Sequence, residues 1–323
     1  MRKGKIVLIV LLAALALGFT GILIRGIRAG EGDFGENLRR IFSIRKSEHT
    51  QSVDLEGIRE ICLDYGSVDL TFAEGDGSQM ILTEYFSGDP EEENYAQIQR
   101  NARDGEVTVT QGKNYLGFWF FSFGSGLGHA EITLPKDYAG KLTIRTDGGD
   151  IKAENLSCGS IAITAGSGDI RLEGLENETL SVTTGSGDVH TANCRAELEL
   201  TTGSGDVRVE NQMGTIRAET GSGDVDLLGG TGKREVKTKS GDLLMDGGGS
   251  SIQAETGSGD VHIRKLEESS FSLQTETSSG DLAGSVIREL GADEDAEHFR
   301  GIYGQDPEFQ VEIRTGSGDI KLE

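Results

Sequence analysis

The residues best suited to chemistry are a serine and a carboxylate set among glycines. Thr183 to Val189 reads TTGSGDV; the same frame returns at 201–207, as ETGSGDV at 219–225 and 255–261, and as RTGSGDI at 314–320. A single copy would suggest a nucleophilic serine or a loop that cradles phosphate. A nucleophile needs a base within hydrogen-bond reach, and no histidine or lysine recurs beside Ser186. Cation binding is the better chemical alternative, because glycine- and aspartate-rich turns hold calcium in β-roll repeats. Those repeats have a nine-residue period, whereas here the period is twice as long. Carboxylates stacked at about 4.8 Å repel by about 0.9 kcal/mol per neighbouring pair even at the dielectric of water. Backbone donors or bound cations must therefore offset the row.

Aligning each unit on the aspartate after its turn gives the series Asp150, Asp169, Asp188, Asp206, Asp224, Asp242, Asp260, Asp281 and Asp319. A glycine precedes every one of them, which calls for positive φ or close packing at that position. Aspartate side chains hold such turns by bonding nearby N–H groups, so these nine are read as structural turn residues. The early spacing is 18 or 19 residues, enough for two short strands and two connections.

Alternation inside each unit supports strands. Leu180-Val182-Thr184, Leu198-Leu200-Thr202 and Ile216-Ala218-Thr220 precede their turns, and Val207-Val209 and Val225-Leu227 follow theirs, with charged residues in many of the gaps. Every second residue faces a core. Because identical residues recur at one phase of every unit, a parallel β-solenoid accounts for them better than an antiparallel meander. Each unit is one coil, thin and two-sided or narrowly triangular. From Asp150 to Asp281 the repeat gives about eight coils, roughly 35 to 40 Å of rod. The solenoid spans 148–323, interrupted at about 284–309 by an acidic excursion, and 52–147 reads as an N-terminal β capping region that protects an open end.

The non-repeating residues hold the remaining candidates. Tyr115, Phe118, Trp119, Phe120, Phe121 and Phe123 concentrate six aromatics in nine residues, as a hydrophobic plug over the first coil or as a partner- or lipid-contacting loop. The excursion carries Asp293, Glu294, Asp295, Glu297 and His298, the one unique polar cluster from which a glycan-active enzyme on a parallel β-helix would be built. His190 and His262 fall four coils apart, about 19 Å on the usual strand spacing, and cannot share a metal. Cys62, Cys158 and Cys194 show neither disulfide nor zinc spacing, and Cys194 stands where neighbouring units have leucine. No cofactor and no catalytic residue is assigned.

The 323 residues include 48 glycines, 3 prolines and 6% aromatics, an all-β economy. A net charge of −23 repels nucleic acid. Ile6 to Ile24 is apolar over a membrane-spanning length and follows Arg2, Lys3 and Lys5. Residues 1–29 are thus expected to be a cytoplasmic stub and single-pass transmembrane anchor. The alternative is a signal peptide cleaved near Ala14 to Ala16. A linker, 30–51, leads to a chain whose bulk is expected outside the cytoplasm.

The repeated LxIxTGSGDVxL unit, the strand EITLPKDY before the first coil, GFWFFSFGSG ahead of it and the N-terminal apolar segment together resemble the bacterial "putative adhesin" β-strand-repeat family of envelope proteins. The resemblance covers roughly residues 52–323. It implies a right-handed parallel β-solenoid and carries over no catalytic residue. The expected role is a non-enzymatic binding or scaffold module, for adhesion or envelope stress, whose partner is an envelope protein, a glycan or a lipid surface. The alternatives are the glycan-active enzyme and a calcium-dependent structural rod.

Overall fold

The structure, a computed structural model, describes residues 46–88, 90–113, 126–247, 250–266 and 270–323. The apolar segment 6–24, most of the linker and the aromatic stretch 115–123 lie outside the described residues. Among the described residues no helix is long and apolar enough to cross a membrane.

Among the described residues the period-two pattern produces two sheets of thirteen strands each. In a typical coil, Ser160–Ala165 lies parallel between Lys141–Gly148 and Glu176–Thr184 in one sheet. After the turn, Ile170–Glu173 lies parallel between Ile151–Glu154 and Val189–Ala192 in the other. Ile161 is in register with Leu142 and Leu180, and Ile170 with Ile151 and Val189. These inward residues are all buried in one continuous core. Each such side chain contributes about 1.5–3 kcal/mol over leaving it exposed, so the stack is held by many equal increments. The cross-section is two-sided, with only isolated bridges such as Arg195 with Met213 and Met213 with Thr231 at the far corner.

That far corner takes left-handed backbone five residues after Asp150, Asp169, Asp188, Asp206, Asp224 and Asp260. Asn155 (φ 50), Gly174 (φ 66), Asn193 (φ 54), Asn211 (φ 52) and Gly229 (φ 68) supply it with the two residue types that tolerate this region best, and Lys265 (φ 60) with one that does not. The asparagines also bond from coil to coil, Asn211 Nδ2 donating to Asn193 Oδ1 at 3.1 Å.

The stack begins two parallel layers before the regular repeat. Glu60–Ser67 pairs in parallel with Lys141–Gly148, and Asp69–Gly75 with Ile151–Glu154, so the less regular segment YGSVDLTF is itself a coil. Beyond it, Glu106–Thr110 pairs in parallel with Glu60–Ser67 and Gly126–Pro135 with Asp69–Gly75, and antiparallel strands then finish the stack. Gln79–Ser87 runs against Gly126–Pro135, and Gln97–Asn101 against Glu106–Thr110.

At neither end do the coils follow chain order, since Glu60–Ser67 lies between Glu106–Thr110 and Lys141–Gly148 at the first. The strands Phe309–Thr315 and Ile320–Leu322, which close the chain, lie between Ile252–Thr256 and Phe271–Thr277 in one sheet and between Val261–Arg264 and Leu282–Ala283 in the other. The coil of Asp281 is therefore outermost, and that of Asp319 stands next to that of Asp260. The excursion supplies the finish: a short helix, Ser285–Leu290, and the strand His298–Tyr303, antiparallel to Phe271–Thr277.

Candidate functional site

The repeated carboxylates form a single edge, and each one but the outermost, Asp281, accepts a backbone N–H. The Asp169 N–H donates to Asp150 Oδ1 at 2.9 Å, Asp188 to Asp169 at 3.2 Å, Asp206 to Asp188 at 2.9 Å and Asp224 to Asp206 at 2.9 Å. Asp242 and Asp260 continue the row at 2.8 Å each. The row then follows spatial order: Asp319 donates to Asp260 at 2.8 Å and Asp281 to Asp319 at 2.9 Å. It also gains a member at its start, since Asp150 N–H donates to Asp69 Oδ1 at 2.9 Å. A hydrogen bond to a charged acceptor is worth roughly 1.5–3 kcal/mol, which exceeds the repulsion of about 0.9 kcal/mol per neighbouring pair. Backbone donors therefore balance the row.

In six of the turns the glycine carbonyl just before the carboxylate accepts from an inward threonine. Thr202 Oγ1 accepts from the Gly205 N–H at 3.0 Å and donates to the Gly187 carbonyl at 3.3 Å. Thr220 repeats the relay with Gly223 and Gly205 at 3.2 and 3.1 Å. From Thr202 onward the buried threonines thus tie their turns to the neighbouring coil, while the Thr184 hydroxyl has no partner. The glycine is required by that same approach: a Cβ added at Gly205 would lie 1.9 Å from the Gly187 oxygen.

The other sequence candidates do not converge. In the excursion Asp293, Glu294 and Glu297 contribute backbone carbonyls, to Ala296, Leu282 and Thr277 respectively. Among the described residues no group of three or more His, Cys, Asp or Glu is placed to hold a metal ion. His190 approaches Glu210 at 3.8 Å and His262 approaches Glu323 at 3.0 Å, on separate coils. The thiols are held protonated: burial pushes Cys158 up to about 12, and burial followed by the Glu60 charge pushes Cys62 to about 11. Burial also raises Cys194. Tyr115, Phe118, Trp119, Phe120, Phe121 and Phe123 fall outside the described residues.

Two buried polar groups complete the picture, and both were visible as breaks in the inward phase. Glu84 follows Met80 and Leu82 on the strand Gln79–Ser87 and is fully buried. Its Oε2 accepts the Ala96 N–H at 2.8 Å, while Oε1 and the buried Tyr65 hydroxyl have no hydrogen-bond partner. Burial raises the Glu84 carboxyl to about 7, against the lowering effect of the Ala96 bond. Burial, then the Glu84 charge, raises Tyr65.

Arg234 occupies the register position of Ile216 and Ile252 inside the stack and is 1% exposed. Its Nη2 donates to the carbonyls of Gly229 and Gly230 at 2.9 and 3.3 Å, while Nε and Nη1 lack partners. Burial lowers its pKa, opposed by the charge of Asp246. Burial alone would raise the Asp246 carboxyl, but bonds from Lys265 at 2.7 Å and Arg264 at 2.8 and 3.1 Å hold it below the usual range.

Two stacked parallel sheets, repeating turns and antiparallel finishing strands define a solenoid-like, all-β protein. The chain belongs to the Toastrack DUF4097 family, which matches residues 58–323. No curated protein matches it. It is similar to solved structures described as a "putative cell adhesion protein" from Clostridium sporogenes (13% identity, 86% of this chain and 99% of that one, TM-score 0.30) and a "putative adhesin" from Parabacteroides distasonis (10%, 85% and 97%, TM-score 0.43). Another, from Parabacteroides distasonis, is described as a "putative lipid binding protein" (13%, 86% and 97%, TM-score 0.35).

Proposed function

We propose that the chain is a membrane-anchored, extracytoplasmic scaffold that presents a binding surface and performs no catalysis. The observation that carries this reading is the commitment of the repeated chemistry to structure. Every member of the aspartate row before the last holds the backbone N–H of the coil stacked on it, and the inward threonines from Thr202 onward are bonded into the same turns. That leaves recognition to the non-repeating stretches, above all Tyr115 to Phe123. Anchoring through residues 6–24 puts the rod close to an envelope protein, a glycan or a lipid surface, the three kinds of partner an aromatic loop suits.

The test has two arms. Protease added to spheroplasts digests residues 47–323 if they lie outside the membrane, and protection overturns the location. The exported segment is then assayed on immobilised envelope glycans, on lipid vesicles and against envelope proteins, with Trp119→Ala weakening whichever contact is found. Hydrolysis of envelope glycans by the wild-type chain, lost on substituting Asp293 and Glu294, would instead establish the enzyme.

A further inference from the structure

The out-of-order coil is held in a slot whose two walls are themselves coils. Residues 309–323, the last fifteen of the chain, stand in register with the coil of Asp260 on one side and that of Asp281 on the other. Val311 pairs with Ile252 and Leu273, Thr315 with Thr256 and Thr277, and Ile320 with Val261 and Leu282. The turn bonds recur on both walls. Thr315 Oγ1 donates to the Gly259 carbonyl at 3.0 Å, and Thr277 Oγ1 donates to the Gly318 carbonyl at 3.2 Å. The slot is therefore a receptor for one coil of this repeat.

What reaches the slot is decided by a short connection. Tyr303 and Phe309 both pair with Phe271, from opposite sides, and their rings stack on it at 5.3 and 5.7 Å. Gly304 to Glu308 must therefore cross over the strand Phe271–Thr277. Gly304 (φ 78) and Asp306 (φ 53) take left-handed conformations in doing so. Apart from this crossing, every contact of the inserted coil would be the same if residues 309–323 came from another chain. The segment is nearly neutral, with Glu312, Asp319 and Glu323 set against Arg314 and Lys321, so the charge of −23 on the whole chain does not bar it locally.

We infer that residues 309–323 of a second copy of this chain occupy the slot in trans, so that two copies associate by exchanging their last coils. Exchange of an identical element makes a dimer at low cost because it creates no new core. The balance between the two forms is set by the crossing connection and by local concentration.

Labelled peptide 309–323, incubated with the full chain, is expected to enter the slot and give a one-to-one complex on native gels. A Gly318→Val peptide is expected to enter at least tenfold less, because a Cβ at that position would lie 1.9 Å from the Gly259 oxygen. Deletion of residues 304–307 is the second arm. It leaves one residue, or about 7.6 Å of reach, to cover about 9.6 Å across two strand spacings. This blocks insertion in cis, so light scattering should report a dimer. Failure of the wild-type peptide to enter below the melting temperature, equal entry of both peptides, or a folded monomeric deletion variant each overturns the inference. If the deletion variant does not fold, the peptide pair decides.

Discussion

Glu84→Gln is expected to stabilise the protein above neutral pH and to do nothing at pH 4. The Glu84 carboxyl titrates near 7 when folded, against an ordinary value of 4.5. A group whose pKa is raised by folding stabilises the fold fully below its unfolded value, and this contribution is lost as pH rises through the folded value. The window is therefore pH 4.5 to 7. A difference of about 2.5 units at about 1.36 kcal/mol per unit gives about 3 kcal/mol. Glutamine keeps an acceptor for the Ala96 N–H without the buried charge, so the variant should gain up to about this amount at pH 8. Urea denaturation of both proteins at pH 4, 5.5, 7 and 8.5 measures it. Comparing the two at each pH cancels the general repulsion among the other carboxylates. A difference that does not grow between pH 4.5 and 7 would show that Glu84 is not a buried, proton-binding group.

Substitutions at three further positions probe the stack. Arg234→Ile restores the apolar register of Ile216 and Ile252 and removes a buried guanidinium with two unpartnered nitrogens. It should raise stability by about 1–4 kcal/mol in chemical denaturation, and a loss of stability would mean the arginine organises its corner. Gly205→Ala drives a Cβ to 1.9 Å from the Gly187 oxygen and should cost more than about 3 kcal/mol or prevent folding; a melting temperature like wild type would refute the packing argument. Asp206→Ala removes the acceptor of the Asp224 N–H and should cost about 1–2 kcal/mol, while Asp206→Asn costs less. Millimolar calcium should leave the wild-type melting temperature unchanged, since the row is balanced by donors; a rise of several degrees would favour the calcium-dependent rod.

The repeat was legible because a solenoid writes its cross-section into the sequence. Leu198, Leu200 and Thr202 announce their inward phase, and Val207 and Val209 the facing one. The order of stacking is not written there. Any coil ending in T-x-S-G-D fits on any other, so spacing alone left the coil of Asp281 next to that of Asp260, and the crossing Gly304–Glu308 was needed to place Asp319 between them. Asp69 was missed because GSVD lacks the second glycine. Glu84 and Arg234 were passed over for the opposite reason: alternation identified the inward positions, but a charge there contradicts the pattern and is easily taken for an outward residue. The threonines were read as core-facing, while their hydroxyl relay depends on distances that only the folded turn defines.

The inserted coil also sets when the rod can be finished. A chain emerging in order delivers Phe271–Thr277 before Phe309–Thr315, so the outermost coil exists before the one that belongs beneath it. Until residues 309–323 are available, the coil of Asp281 has no correct neighbour, and the match of its turn to that of Asp260 offers it a wrong one. Completion of the far end therefore waits on a segment that follows both of its neighbours in the chain. A rod without that segment would carry an open, coil-shaped gap between the coils of Asp260 and Asp281.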